Sequence, residues 1–313
     1  MKKIVIAGGG AMGSQIAFQA AYCGYNVTIW LRSENFFEET KKRIDNLYNT
    51  YVDTLNLMST PEGKNEHTWC MGLASKDFVL DELLAKTNFA AKTIKLETNL
   101  KQAVENADLV YEAIVEDYDA KVNFYKMVSP LLREDTILAT ASTSIVPSKL
   151  LKGVSNPANF LGFHPSSPLI KNNLVEIMVH EKTSTKVFAE MVDFAESLNL
   201  VSVQLLKEQK GYLLNSCLIP FLFAALDLYC KGISNYENID KAWTKGTGAE
   251  LGPFQMIDRI GLKAVNDVVN GYRKVPGFSA SYDLNGIYKM LKQYVDQGKL
   301  GVFTGEGFYK YSK

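Results

Sequence analysis

A histidine followed twelve residues later by a lone glutamate is the residue pair most suited to chemistry. His164 ends an apolar run and begins a proline-bounded loop, and Glu176 stands alone within the apolar run at residues 174–179. Burying an unpartnered carboxylate is unfavourable, so Glu176 requires a partner. Imidazole exchanges protons near pH 7, and a carboxylate can orient it. The pattern indicates either a proton-transfer pair or a structural histidine, and both interpretations stay open at this point.

A second chemical pattern lies near the N-terminus, where glycines recur with the spacing Gly-x-Gly-x-x-Gly. A run of β-forming residues leads into Gly8, and Ala11 and Met12 begin a stretch of small and apolar residues at helical spacing. Gly8 permits a sharp turn, Gly10 leaves space for a pyrophosphate, and Gly13 lets the helix approach the sheet. The helix N-terminus also favours phosphate. We therefore predict a dinucleotide site; the alternative is a tight strand–helix turn that binds nothing.

The end of the predicted second strand bears on which dinucleotide fits. In NAD-binding units an acidic residue closes this strand and bonds the ribose hydroxyls, whereas here Leu31 closes it and Arg32 and Ser33 follow. A leucine cannot accept hydroxyl protons, but a guanidinium can pair with a 2′-phosphate and a hydroxyl can assist. We therefore expect NADP(H) in preference to NAD(H). The alternative is that Arg32 is a solvated loop residue and that either cofactor is used.

Polar residues follow two further predicted strands. The apolar run at residues 107–116 ends in acids that include Glu116, and the strand predicted at 136–140 is followed by the hydroxyl-rich residues 141–144. The carboxyl ends of parallel strands face the ligand crevice. The hydroxyl groups can contact a ligand there, or they can cap the short helix that begins at Pro147.

The elements that must position these residues form two groups. Strand and helix patterns alternate up to residue 205, and the strand patterns stop from Gly211 onward. This order predicts an α/β fold, with a Rossmann-like doubly wound parallel sheet over residues 1–205 and an all-α domain over residues 206–313. A length of 313 residues with 47% hydrophobic residues is consistent with two domains.

Composition excludes several classes of partner. The formal net charge is zero, so no basic field attracts nucleic acid or an anionic membrane. The apolar stretch at residues 217–226 is shorter than the roughly 20 residues of a membrane helix, and it contains Pro220. We therefore interpret it as part of a buried helix. We therefore expect neither a nucleic-acid partner nor a membrane partner.

The cysteines point to the redox compartment. Four are present without Cys-x-x-Cys spacing, and the chain begins with strand residues rather than a secretory signal. We expect free thiols in a reducing cytoplasm. His67 and Cys70 are three residues apart, but no further ligands stand near them, so we predict no metal site.

Several segments together resemble the L-3-hydroxyacyl-CoA dehydrogenase family, which includes 3-hydroxybutyryl-CoA dehydrogenases. The likeness covers nearly the whole chain. It is carried by residues 8–13, 112–116, His164 with Pro168 and 174–176, 211–215, 252–254 and 304–311.

The resemblance implies hydride transfer between C3 of a 3-hydroxyacyl thioester and C4 of the nicotinamide. By this likeness His164 is the general base in oxidation and the acid in reduction, and Glu176 holds its imidazole. Thr143 falls where the family has a serine that touches the substrate oxygen, and Asn215 where it has an asparagine that positions the same oxygen.

The resemblance also implies features outside the proton-transfer pair. Glu116 and Lys121 match residues that the family keeps near the cofactor and the catalytic crevice. The family precedent is a homodimer through the second domain and a role in fatty acid metabolism. The apolar helix predicted from Tyr212 onward can form either a core or a two-fold interface.

Departures from the family pattern keep other functions open. After the histidine the family has the sequence Phe-Phe-Asn-Pro, whereas this chain has Ser167 in place of the asparagine. The His164-Pro165 pair is similar to the sequence in relatives that oxidise free hydroxy acids, such as gulonate or carnitine dehydrogenases. Leu47 and Thr54 stand where the family has ligands of the CoA phosphates. The alternatives are a dehydrogenase of a free 3-hydroxy acid and a non-catalytic dinucleotide-binding protein, as some crystallins are. Residues 58–77 are longer than the family needs and predict a surface insertion or a flap.

Overall fold

The computed structural model of this chain describes residues 1–64, 69–275 and 282–311, and within them the strands form one eight-stranded sheet. The strand bounds are β1 Lys3–Ala7, β2 Asn26–Trp30, β3 Lys95–Glu97, β4 Leu109–Glu112, β5 Ile137–Thr140, β6 Phe160–Pro165, β7 Leu174–Met178 and β8 Val201–Leu205. Their spatial order is β3-β2-β1-β4-β5-β6-β7-β8. Neighbouring strands are parallel except β6 and β7, which are antiparallel. The predicted doubly wound sheet is confirmed.

Helices cover both faces of this sheet. They are α1 Ala11–Tyr22, α2 Phe37–Met58, α3 Leu80–Thr93, α4 Leu100–Val104, α5 Tyr118–Val128, α6 Pro147–Leu150 and α7 Thr185–Ser197. Alternate residues of a strand point to opposite faces, so β1 contributes Ile4 and Ile6 to one core and Val5 and Ala7 to the other. The chain order reverses between β1 and β4, which is where open α/β sheets form a ligand crevice.

Residues 69–74 correct one expectation. Residues 58–77 were expected to form a surface insertion or a flap, but Trp69, Cys70 and Leu73 are buried in the main core. The Gln19 side chain donates to the Gly72 carbonyl at 2.8 Å. The segment is irregular in sequence because it turns repeatedly, but its apolar residues complete the core beside α1. His67 lies outside the described residues.

The chain forms two compact units, Met1–Leu213 and Leu214–Lys313, whereas we predicted a boundary after residue 205. The helices of the C-terminal part are α8 Tyr212–Cys230, α9 Tyr236–Thr247, α10 Pro253–Ile260, α11 Leu262–Tyr272 and α12 Leu284–Asp296. A separate core in the second unit includes Leu222, Leu226, Phe254, Ile257 and Ile287. The predicted helical C-terminal domain is confirmed.

Helix α8 has the predicted bounds, but it is less buried than expected. It has 19 residues, and by length and composition it is the one helix in the described part of the chain that could cross a membrane; 28% of its most apolar window is buried. The expectation of no membrane helix considered only the apolar run at residues 217–226, whereas the apolar helix continues beyond that run at both ends. One side of α8 is apolar and largely exposed. We call it the α8 stripe; its residues are Leu214, Cys217, Phe221, Ala224 and Leu228.

Candidate active site

The pairing of β6 with β7 brings His164 and Glu176 together. Their antiparallel register places the two residues directly opposite each other, so their side chains lie on the same face. His164 Nδ1 lies 3.6 Å from Glu176 Oε2, and the Glu176 side chain is 1% exposed. At this distance the carboxylate attracts the ring once the imidazole is protonated. The arrangement can therefore stabilise a cation that forms during proton transfer.

Thr143 contacts the opposite nitrogen of the ring. It follows β5, and its Oγ1 lies 3.0 Å from His164 Nε2. With the ring proton on Nδ1, facing Glu176, Nε2 accepts a hydrogen bond from the Thr143 hydroxyl. The alternative that these hydroxyl groups cap the next helix is wrong, because α6 begins after Val146 without a side-chain cap.

Glu116 organises the turn that carries Thr143. Its Oε1 accepts hydrogen bonds from Ser142 Oγ at 2.7 Å, Ser144 Oγ at 2.7 Å, Ser144 N at 2.8 Å and Thr143 N at 3.1 Å. Partial burial alone would raise the pKa of Glu116, but the donors of Ser144 and Ser142 and the charge of Lys121 outweigh it, and the pKa is lowered. Glu116 therefore remains an anion that fixes the hydroxyl turn.

A buried ion pair holds Glu116 from the other side. Lys121 Nζ lies 2.5 Å from Glu112 Oε1 and 3.3 Å from Glu116 Oε2, and Lys121 is 1% exposed. Glu112 also accepts hydrogen bonds from Tyr125 Oη and Thr140 Oγ1, both at 2.8 Å. A buried pair is tolerated when its remaining hydrogen-bonding groups are satisfied in this way. Lys121 was identified from the sequence, whereas Glu112 and Tyr125 were missed as members of this network.

The sequence analysis also missed Tyr212. Its ring stacks on the His164 ring, with centroids 4.6 Å apart and an interplanar angle of 19°. The next residue, Leu213, donates its backbone N–H to Glu176 Oε1 at 2.7 Å. The sequence signal for it is an aromatic residue directly after Gly211, in a segment that also carries the family resemblance.

Asn215 is the fourth residue of α8, within the second unit, and is half-buried. Its contact with the substrate oxygen stays a prediction.

The N-terminal glycines divide into those that the fold requires and one that leaves space. Gly8 has φ +109°, and a Cβ there would lie 2.6 Å from the Ala113 carbonyl oxygen. A Cβ on Gly13 would collide with the Gly8 carbonyl oxygen. At Gly10, the residue before α1, no atom lies within 4 Å of an added Cβ. This open approach to a helix N-terminus fits a pyrophosphate group.

A cavity of about 420 Å³ lies beside this loop, at the carboxyl ends of β1, β2 and β4. Leu31, which is 5% exposed, and Arg32 both line it. The Arg32 guanidinium lies 4.8 Å from the centre of the Phe36 ring, which holds it at the cavity wall. Ser33 instead accepts a hydrogen bond from Asn35 N and caps a short 3₁₀ turn. Met12 packs against the core.

Ala11 and Gln15 lie on the first two turns of α1. Gln15 was also missed, and it ties this helix to the loop after His164. Its Nε2 lies 3.2 Å from Ser167 Oγ, and its Oε1 accepts the Leu169 N–H at 3.0 Å. The Gln15 carboxamide therefore links α1 to the loop that contains Ser167, where this chain departs from the family pattern.

Within residues 1–64, 69–275 and 282–311, no group of three or more His, Cys, Asp and Glu side chains could hold a metal ion. All four cysteines are free thiols.

Two family models match the chain. Residues 3–209 match the NAD-binding domain of 3-hydroxyacyl-CoA dehydrogenase, and residues 211–311 match the C-terminal domain of the same family. The chain is 31% identical to the mitochondrial hydroxyacyl-coenzyme A dehydrogenase of Homo sapiens, over 99% of this chain and 91% of that protein. It is 28% identical to the 3-hydroxybutyryl-CoA dehydrogenase of Clostridioides difficile, over 99% and 100% of the two chains.

A similar solved structure is that of a diketoreductase described as catalysing reactions of dicarbonyl compounds. It shares 34% identity with this chain, covers 99% of both chains and superposes with a TM-score of 0.84.

Proposed function

Because this chain belongs to the 3-hydroxyacyl-CoA dehydrogenase family, a family of NAD-dependent oxidoreductases, we propose that it interconverts a short-chain 3-hydroxyacyl-CoA and the 3-oxoacyl-CoA. One observation carries this proposal. His164 Nε2 lies 3.0 Å from Thr143 Oγ1 and its Nδ1 lies 3.6 Å from Glu176 Oε2, so one ring nitrogen faces a hydroxyl group and the other a carboxylate.

The residues of this site supply the proton chemistry. In oxidation, His164 Nε2 accepts the proton of the 3-hydroxyl group while C3 loses a hydride, and the C–O bond becomes a carbonyl. Glu176 stabilises the imidazolium that results. Thr143 donates a hydrogen bond to the substrate oxygen as its charge changes. The nicotinamide, when bound, accepts the hydride in oxidation and supplies it in reduction. In the reverse direction His164 returns its proton to the oxygen.

A second candidate is a reductase or dehydrogenase of a 3-oxo or 3-hydroxy compound that carries no CoA. Ser167 replaces the family's asparagine, and Leu47 and Thr54 offer no charge to the CoA phosphates. The similar diketoreductase acts on dicarbonyl compounds, and it supports this candidate. The proton transfer at His164 would be the same.

We propose NADP(H) as the preferred cofactor. Leu31 offers no acceptor to the ribose hydroxyls, and Arg32 lines the cavity beside the glycine loop. Arg43 also lines it and pairs with Glu39 at 2.5 Å. The two guanidinium groups outnumber the single carboxylate in that wall, which favours an added phosphate.

We also propose a homodimer through the second unit. The α8 stripe has the three- and four-residue spacing that packs one helix against another. The four free cysteines support a cytoplasmic location.

One assay separates the two candidates. Acetoacetyl-CoA and acetoacetate are each offered with NADH and with NADPH, and kcat/KM is measured for the four combinations. The CoA proposal expects saturation with the thioester and at least about tenfold lower kcat/KM with the free acid, equivalent to about 1.4 kcal/mol. Saturation with acetoacetate alone would replace it with the second candidate. Equal rates with both cofactors would remove the NADP preference and leave the hydride chemistry intact.

A further inference from the structure

We propose that Tyr212 is a positioning residue for the proton-transfer site, fixing the plane of the His164 imidazole and stabilising its protonated form; this rests on the function proposed above. The residues that carry it are three consecutive ones, Gly211, Tyr212 and Leu213, which we call the 211–213 segment.

Each residue of the 211–213 segment contacts a different member of the site. Gly211 donates its backbone N–H to the Thr143 carbonyl at 2.9 Å. Tyr212 stacks on His164, and Leu213 donates to Glu176 Oε1 at 2.7 Å. Since consecutive backbone atoms have fixed separations, the segment holds the hydroxyl turn, the imidazole and the carboxylate in one arrangement.

The Tyr212 ring is itself fixed. It is 1% exposed and packs with Met178, Leu205 and Val146. Its hydroxyl lies so close to Gly162 that a Cβ at that glycine would collide with it. Gly162 is two residues before His164 on β6, so the strand that presents the histidine also makes room for the tyrosine.

The backbone conformation supports a functional reason for this placement. Gly211 has φ +82° and Tyr212 has φ +56°. The left-handed region suits glycine, but it is uncommon and unfavourable for an aromatic residue. The fold therefore maintains an unfavourable conformation at the residue that contacts the proposed base.

The electrostatics of the stacked pair favour a cation on the histidine. Burial, followed by the charges of Glu176, Glu116, Glu112 and Glu208, raises the pKa of Tyr212 well above its ordinary value, so its ring remains neutral. The face of a neutral aromatic ring attracts a cation, most strongly where water is excluded. The imidazolium formed when His164 accepts a proton lies over such a face.

Three variants test this role, namely Tyr212→Leu, Tyr212→Phe and Tyr51→Leu. Tyr51 is an equally buried tyrosine that packs on Phe18 and Tyr22 in the other core, so it controls for loss of a buried ring. We expect Tyr212→Leu to lower kcat by about 30-fold, with KM for acetoacetyl-CoA within about threefold of wild type. Tyr212→Phe retains the aromatic ring, and we expect its kcat to lie within about threefold of the wild-type value. Tyr51→Leu lowers the thermal midpoint and leaves kcat unchanged.

A second background separates action through His164 from general damage. In a His164→Gln enzyme, the further change Tyr212→Leu is expected to leave the residual rate unchanged. Where Tyr212→Leu does not fold, Tyr212→Met replaces it as the unbranched non-aromatic variant.

The inference is overturned if Tyr212→Leu keeps wild-type kcat, if Tyr212→Phe loses as much as Tyr212→Leu, or if the leucine change lowers the rate equally in both backgrounds. Full activity of His164→Gln would instead overturn the proposed function itself.

Discussion

The His164 imidazole has a different neighbour at each of its functional positions. Thr143 contacts Nε2, Glu176 faces Nδ1, and Tyr212 covers one face of the ring. A base needs both an acceptor edge that the substrate can reach and a partner that stabilises the charge it acquires. For the proposed base, Glu176 is the partner of the charge, and Thr143 and Tyr212 contact the ring at its other nitrogen and on one face.

We predict that Glu116 affects kcat by holding Thr143 in position. Glu116→Gln replaces the charged acceptor of four hydrogen bonds with a neutral one and places an NH2 group where Oε2 faces Lys121, so the hydroxyl turn is held less tightly and Thr143 moves. We expect kcat to fall about 10- to 100-fold at neutral pH, in line with the effect of small misplacements. Glu134→Gln, at an exposed glutamate, is the control. A Glu116→Gln enzyme with wild-type kcat would contradict this role.

The lowered pKa of Glu116 also gives a pH dependence with a definite sign. A carboxylate whose folded pKa is depressed contributes stability above its unfolded value, here 4.5, and loses it as the pH falls through the lower folded pKa. We therefore expect the difference in thermal midpoint between wild type and Glu116→Gln to be constant above about pH 5 and to shrink below pH 4.5. A difference that grows on acidification would have the wrong sign.

Arg32 is the residue on which cofactor choice is predicted to depend. Arg32→Asp replaces a cation in the cavity wall with a carboxylate that repels a 2′-phosphate and accepts ribose hydroxyl protons. We expect the ratio of kcat/KM for NADPH to that for NADH to fall at least about tenfold. Lys42→Asp, at an exposed lysine on α2, is the matched control. An unchanged ratio would make Arg32 a bystander.

Sequence reasoning at the residue scale succeeded where residue type alone restricts the chemistry. A histidine at the end of an apolar run and a lone acid within another are unusual, and the fold places them opposite each other on β6 and β7. Tyr212, Gln15 and Glu112 have ordinary types for their local patterns. Their contacts depend on tertiary register, which the sequence does not display.

Among the elements, the β1–α1 loop combines structural and ligand requirements. Gly8 and Gly13 allow close backbone packing, whereas Gly10 borders open space. Because the surroundings of these glycines differ, an alanine is expected to have different consequences at each position.

Two alanine variants separate these requirements. Gly13→Ala places a Cβ against the Gly8 carbonyl, and we expect about 1–3 kcal/mol of lost stability, seen as a thermal midpoint several degrees lower. Gly10→Ala meets no protein atom, so we expect an unchanged midpoint and a Kd for the dinucleotide raised at least about tenfold. Calorimetry and a binding titration measure the two quantities. A stable, tightly binding Gly10→Ala protein would contradict the pyrophosphate assignment.

Most elements could be predicted because their periodicity is strong. The strand predicted at residues 136–140 is β5, Ile137–Thr140, in the structure. Residues 69–74 could not be predicted, because they lack a regular pattern and contribute to the core through turns beside α1. The helix predicted from Tyr212 onward begins there in the structure, but the exposure of one of its apolar sides could not be predicted, because it depends on which residues the second unit covers.

For the molecule as a whole, α8 leaves an apolar surface within the single chain. The helix is apolar enough to cross a membrane by composition, but the α8 stripe occupies one side while Leu222, Phe223 and Leu226 pack into the core of the second unit. A helix with one packed side and one apolar exposed side is suited to a two-fold partner.

The stripe predicts the effect of one charge on assembly. Leu228 is 42% exposed, and a two-fold axis would bury it twice. Leu228→Glu is expected to raise the dimer Kd at least about 100-fold, because each buried leucine contributes about 1.5–3 kcal/mol. Light scattering across a dilution series measures this, and Leu57→Glu, at an exposed leucine of the first unit, is the control. Wild type that remains monomeric, or that binds lipid vesicles through α8, would overturn the proposed dimer.

The central claim is that His164 transfers the proton while a hydride moves at the neighbouring carbon. The most direct measurement is the rate of NADPH oxidation by acetoacetyl-CoA in wild type and His164→Gln, with the dinucleotide Kd of each determined from the fluorescence of Trp30, which lines the cofactor cavity. We predict that His164→Gln lowers turnover by about 10³-fold or more, with the Kd within about threefold of wild type. A loss of less than about tenfold would contradict the assignment of His164 as the acid–base group.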